Sequence, residues 1–225
     1  MNWAGRLRAV VSAVVMIATA VPSFACGFED PSSATLQRGL LNWVYPKSLY
    51  VSTAVWQAQM AGIVAKDRPL TGNLAGLGLL KTQLQMRQLE FQIVAAAGAR
   101  PVPRFSVVLL GPMLWTSYDE ASGMVSASVH AKGPTPGDVV VVTDGVVVTA
   151  LLTGSLTVRE ASDLGLIRFY GDDADIAQLQ HVLDDLKPVS RRTASATRDS
   201  GANIRKVARA IAGPESSNRL PLQSE

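Results

Sequence analysis

Reactive side chains are few and scattered in this chain. His130 and His181 are its two histidines, and Cys26 is its single cysteine. A protein zinc site gathers three or four Cys, His or carboxylate ligands, commonly with two of them a few residues apart. Neither histidine has a second His or Cys at that spacing, so a metal site would need acids brought in from afar. His130 reads as a solvent-facing strand residue and His181 as a polar helix position. Asp172, Asp173 and Asp175 have the opening rhythm of a calcium loop, but no glycine at its sixth place and no closing glutamate follow. These acids suit a helix start, where they complement the dipole. The stretch GNLAGLGLLKT, residues 72–82, holds three glycines with Lys81 and Thr82. A phosphate loop needs its lysine directly after a glycine, and Lys81 follows Leu80, so the segment reads as a helix start whose small residues allow close packing. No G-x-S-x-G elbow is present. The expectation is therefore no catalytic set, no metal and no cofactor, which argues against an enzyme.

Cys26 needs a different account. Arg6 and Arg8 precede an apolar run from Ala9 to Val21, about 13 residues, followed by Pro22, Ser23, Phe24 and Ala25. This is the charged, apolar and small-residue order of a secretory signal peptide, and the run is short of the roughly 20 residues that span a bilayer. Residues 1–25 are expected to be removed on export to the periplasm or envelope. A lone cysteine makes no intramolecular disulfide. Lipidation of Cys26 is one fate, since a cysteine directly after the cut resembles the lipoprotein signal; Ser23 and Phe24 depart from that signal and suit ordinary cleavage better. An uncleaved anchor, and a thiol activated by its own terminal amine, are the remaining readings.

The net charge of +3 hides a division. Residues 1–25 carry plus two, residues 26–187 minus three and residues 188–225 plus four. A nucleic-acid-binding domain wants its basic face on the folded part, so none is expected here. The 200 residues after the signal suffice for a core without disulfide staples. Apolar content collapses after Pro188, so the basic tail is expected to be disordered. A segment around 203–212, with Ile204, Val207 and Ile211 on one side and Arg205, Lys206 and Arg209 around it, could touch anionic lipid or an acidic partner.

The elements that would position any site divide at about residue 100. Ser33 reads as the N-cap of a helix carrying Leu36 to Val44 and stopped by Pro46. A second helix from Lys47 or Ser48 carries Leu49, Val55, Trp56, Met60 and Ile63. The cluster Trp43, Tyr45, Tyr50 and Trp56 reads as core between these helices, with a groove lining as the alternative. Leu77, Leu84 and Phe91 form one seven-residue series and Leu79, Met86 and Ile93 another, so residues 72–97 read as one long helix ended by Gly98 and Pro101. The texture then turns to strands: 105–115, broken at Gly111-Pro112 as a bulge or two strands; a turn over SYDEASG, 117–123; a strand at 125–130; a loop at 133–137; and a buried strand at Val139 to Val142. Asp144 caps a helix reaching Gly154. Thr157 and Glu160 form a capping box for a short helix closed by Gly165. A last strand at 166–170, a turn at Gly171-Asp172 and a helix from Asp175 to Lys187 follow. The fold class is α+β, with a helical region at 26–100 packed on a small mixed-sheet domain at 101–187.

The order strand, helix ending in L-L-x-G, short helix with Ala161, strand ending in Gly171-Asp172 and final helix resembles the closing part of the sterol carrier protein family. The matching residues are Val139 to Val142, Leu151, Leu152, Gly154, Ala161 and Gly165 to Asp172, within residues 104–187. The resemblance implies a mixed sheet closed by helices around an apolar tunnel that takes a lipid or acyl chain, lined here by Leu109, Val147, Leu151, Leu166 and Phe169. The first half resembles only uncharacterised exported bacterial proteins. Two functions are thus expected of an exported, non-enzymatic envelope protein. One is binding an apolar ligand in the second half; the other is docking an envelope partner through the 72–97 helix or the Trp43–Trp56 region. The second predicts an exposed apolar stripe on the helical half. Contact with a membrane is expected only through a lipidated Cys26 or the basic tail.

Overall fold

The computed structural model describes residues 31–66, 75–121 and 124–187. The expected signal peptide, Cys26, residues 72–74 of the long helix and the basic tail lie outside the described residues. The chain is α+β, a mixed five-stranded sheet with helices on both faces. Helices α1 (Pro31–Val44), α2 (Ser48–Met60) and α3 (Ala75–Ala97) come first. Strands β1 (Phe105–Leu109), β2 (Leu114–Ala121), β3 (Met124–Ala131) and β4 (Val139–Thr143) follow. Helices α4 (Gly145–Thr153) and α5 (Val158–Asp163), strand β5 (Arg168–Tyr170) and helix α6 (Asp173–Asp184) complete it.

The strand order is β3-β2-β1-β4-β5, parallel between β1 and β4 and antiparallel elsewhere. Because strand side chains alternate, the register fixes what each face carries. Phe105, Val107 and Leu109 sit opposite Tyr118, Thr116 and Leu114 on one side and Val139, Val141 and Thr143 on the other, so they share a first face. Helix α3 covers that face: the Tyr118 hydroxyl donates to the Met86 carbonyl at 3.1 Å, and Gln85 and Gln92 reach across to carbonyls of α4. The second face carries Trp115 and Tyr170, on which Tyr45 packs at 6.4 and 5.2 Å between ring centroids, and the Tyr170 hydroxyl donates to the Pro46 carbonyl at 2.7 Å. Helix α2 lies against β4 there. One core of buried residues runs through all layers, from Ala34 and Leu41 to Leu183.

Several boundaries differ from the sequence-based expectation. Residues 117–121, expected as a turn, continue β2, because Ser117 and Tyr118 pair with both β1 and β3 and Asp119 to Ala121 pair with β3. The break at Gly111-Pro112 separates two strands, with Met113 in a left-handed turn conformation at φ 49°. Ser33 lies inside α1, which already runs at Pro31; proline is preorganised for a first turn. The strand expected at 166–170 begins at Arg168, since the Leu166 amide donates to Ala161 and so finishes the preceding helix. His130 is the extra residue of a bulge, held at φ 69° where Trp115 pairs with Ala131 and Thr116 with Val129.

The capping residues stand where their local chemistry places them. Asp144 and Asp172 accept from the amides of Val146 and Ala174. Thr157 and Glu160 cap each other reciprocally. Replacing Thr157 with Ala is expected to cost about 1 kcal/mol in chemical denaturation, with Thr157→Ser close to native. An equal loss for both variants would show that the cap does not stabilise this helix.

Candidate functional site

Among the described residues, a group of chemistry-bearing side chains lies on the second sheet face. Asp138 is buried. Its Oδ2 accepts from the Ser106 hydroxyl and the Thr135 amide, each at 2.9 Å, while Oδ1 lies 3.7 Å from Arg104 Nε. Ser106 and Ser117 hydroxyls approach to 3.4 Å. Burial and the negative charge of Asp138 both push the nearby Tyr45 phenol upward. In this geometry the serine donates its proton to a carboxylate that also accepts from a backbone amide. The cluster ties the 133–138 loop to the sheet. Among the described residues, no group of three or more His, Cys, Asp or Glu converges to hold a metal ion.

An open cavity of about 410 Å³ lies between the end of α3 and α6, lined by Arg100, Pro101, Gln178, His181 and Val182. Its polar groups are largely committed within the protein. Arg100 pairs with Asp185 at 2.7 Å, and the Gln178 amide donates to the Pro101 carbonyl at 2.7 Å. None of the five tunnel residues lines it. The structure places two of the five on the same face of the sheet. Leu109 and Phe169 project from the first face, Val147 and Leu151 are one turn apart on α4, and the Leu166 carbonyl accepts from Thr143 at 3.0 Å. Leu109, Val147, Leu151 and Leu166 are buried members of the common core, and Phe169 is half-buried against it.

The helical half carries a different feature. On α3 the two seven-residue series separate: Met86 and Ile93 are buried and Leu79 is half-buried, while Leu77, Leu84 and Phe91 face solvent, Leu84 at 63% and Phe91 at 74% exposure. Leu80 and Val94 are exposed beside them. Together, positions 77, 80, 84, 87, 91 and 94 alternate three- and four-residue steps. This is the spacing that the apolar seam of a coiled coil uses, here about 26 Å long at 1.5 Å per residue. Arg87 is its one polar position and pairs with Glu90 at 2.9 Å. A soluble helix ordinarily keeps one apolar stripe and turns polar residues outward; α3 has a second stripe opposite its buried one.

Helices α1 and α2 repeat the pattern with aromatics. Ala34 and Leu41 are buried on α1, and Leu36, Leu40, Trp43 and Val44 point the other way. On α2, Val51, Val55 and Ala58 face the core while Leu49, Tyr50, Trp56 and Met60 are exposed. The cluster read as core thus divides. Tyr45 alone packs on the sheet, and Trp43 is 87% exposed. The 3.6-residue repeat is equally satisfied by either face, so the aromatics carried no sign of direction.

No family model matches the chain, and no curated protein matches it. Solved structures that resemble it include a double mutant of the sec-alkyl sulfatase PisA1, with 14% identity over 47% of this chain and 17% of that one, at a TM-score of 0.38. Another is the stereoselective inverting sec-alkylsulfatase Pisa1 from Pseudomonas sp., with 15% identity over 44% of this chain and 15% of that one, at a TM-score of 0.31. The chain spans only a small part of those proteins' length, and likenesses at these scores define neither its fold nor its activity.

Proposed function

We infer that the protein is an exported, non-enzymatic accessory protein of the cell envelope that docks a partner through α3. The observation that carries this reading is the second apolar seam, Leu77, Leu80, Leu84, Phe91 and Val94, exposed on a helix whose opposite side is already buried. Burying a large apolar side chain is worth about 1.5–3 kcal/mol, so five left in water are a substantial unused driving force for association. The fitting occupant is an apolar-faced helix of another envelope protein. Self-pairing is a poorer fit: in either orientation of two α3 helices, both Arg87 guanidinium groups come to the middle of the shared seam. A foreign helix offering a carboxylate or small polar residue there avoids that repulsion.

Site-specific photocrosslinking in the intact envelope tests this. A photoreactive residue at position 77, 84 or 91 is expected to give one shared crosslinked species, and at Lys81, off the seam, much less. Equal yields around the helix, or a species twice the mass of this chain, would overturn the reading.

The alternative role, an apolar ligand held in the second half, draws on the resemblance to sterol carrier proteins and on Leu109 and Phe169 sharing one sheet face, with Val147, Leu151 and Leu166 in the same core. Native mass spectrometry of the protein purified from the envelope, beside a denatured sample, separates the two roles. A small apolar guest lost on denaturation favours the carrier role. The denatured mass also shows whether Cys26 carries lipid.

A further inference from the structure

The outward faces of α1 and α2 differ in chemistry from that of α3. Trp43, Tyr50 and Trp56 are exposed together with Leu36, Leu40, Val44 and Met60. Between residues 31 and 66 the charged residues are Arg38, Lys47 and Lys66, with no Asp or Glu. The exposed seam of α3, by contrast, has no Trp or Tyr, and its one charged residue is Arg87, with Glu90 beside it. Tryptophan and tyrosine favour the boundary between lipid headgroups and acyl chains, because one end of each ring system is apolar and the other hydrogen-bonds. A helix that lies in that boundary combines such residues with cations and few acids.

We propose that α1 and α2 form a membrane-binding surface that lies on an anionic phospholipid bilayer, independently of what occupies α3. The helices have 14 and 13 residues, short of the roughly 20 needed to span a bilayer, and among the described residues no helix is long and apolar enough to cross a membrane. They therefore bind in the plane of the surface. The corner at Tyr45 to Lys47 is fixed to the sheet through Tyr45 and the Pro46 carbonyl, so the two helices meet the membrane as a rigid hairpin. Trp43 and Val44 lead into that corner and Tyr50 follows it, while Lys47, held left-handed at φ 71° between the helices, is exposed for a lipid phosphate. Within α1, α2 and the corner between them no acid stands to repel anionic lipid; Glu29, Asp30 and Asp67 lie beyond them in sequence.

The test uses the exported chain with Cys26→Ser, so that no covalent lipid contributes, and phosphatidylethanolamine vesicles containing phosphatidylglycerol, with brominated acyl chains. With Trp115→Phe added, the emission of Trp43 and Trp56 is expected to be quenched on binding. The Trp43→Ser, Trp56→Ser double variant is expected to bind at least about tenfold more weakly at an unchanged melting temperature. Added salt is expected to weaken native binding, since exposed charges are screened. Three results would overturn the proposal: vesicle binding without quenching, which places the attachment elsewhere, for instance in the basic tail; equal binding by the double variant; or absence of vesicle binding with a dimer in light scattering that the double variant breaks, which makes the face an interface between copies.

Discussion

The Leu84→Asp, Phe91→Asp double variant is expected to lose association with its envelope partner by at least about a hundredfold while keeping the native melting temperature within a few degrees. Both side chains are exposed and lie on the side of α3 turned away from the core, so neither substitution opens a cavity or strands a charge within the fold. Both also occupy the same position in the three-four alternation, two turns apart, where a partner helix would pack most closely. A carboxylate there would be buried without a counter-ion on association, and the penalty for an unpaired buried charge is several kcal/mol. The measurement is crosslinking yield from a photoreactive residue at Leu77, read beside a thermal melt of the purified variant. Undiminished crosslinking would sink the docking reading. A melt lowered by much more than a few degrees would show instead that these residues stabilise the fold itself.

That experiment turns on a distinction the sequence alone does not contain. Two series of equal strength, Leu77-Leu84-Phe91 and Leu79-Met86-Ile93, run along one helix, and periodicity assigns neither to the interior. The choice is made by tertiary contacts. Tyr118 reaches the Met86 carbonyl, and Gln85 and Gln92 bond to α4, which turns the second series inward. The same holds at Trp43, Tyr50 and Trp56, where aromatic content alone suggests core. Local chemistry was legible wherever the relevant bond closes within a few residues. The Thr157–Glu160 box, the caps at Asp144 and Asp172, the left-handed closures at Gly154 and Gly165, and the strand from Val139 depend on little beyond their neighbours. Strand β2 was not legible past Trp115. Its polar residues Ser117 and Asp119 sit on the second sheet face, where the serine meets Ser106 and the aspartate meets water. A strand with one partly polar face resembles a turn until its pairing partners are known.

Tyr118 is expected to be the most sensitive single position in the fold, and its two substitutions separate packing from hydrogen bonding. The ring is buried and stacks on Phe105 with centroids 4.5 Å apart and planes 3° from parallel, and its hydroxyl donates to Met86 on α3. It thus joins two strands to the helix above them. Tyr118→Ala would remove a large buried ring and leave a cavity that helix and sheet close only in part, a loss of about 3–5 kcal/mol from a domain whose stability is of order 5–15 kcal/mol. Tyr118→Phe keeps the stack and gives up one hydrogen bond, a loss of about 0.5–1.5 kcal/mol. The second variant also carries a signature in pH. Burial first, then the Glu90 charge, raise the ionisation of Tyr118 well above the ordinary tyrosine range, against a smaller lowering by Arg87. A group whose folded pKa is raised contributes its stability fully below the unfolded value, about 10 for tyrosine. Above that pH the unfolded chain releases the phenolic proton and the folded chain does not, so stability falls by up to about 1.4 kcal/mol per pH unit. Tyr118→Phe is therefore expected to be less stable than native at pH 7 and to lose less between pH 10 and 11.5, so that the two denaturation profiles converge. Some alkaline slope remains, because Tyr45 and Tyr170 are shifted in the same direction. Parallel profiles for the native chain and Tyr118→Phe across that window would mean that Tyr118 ionises in the folded protein as it does in water, which its burial beneath α3 forbids.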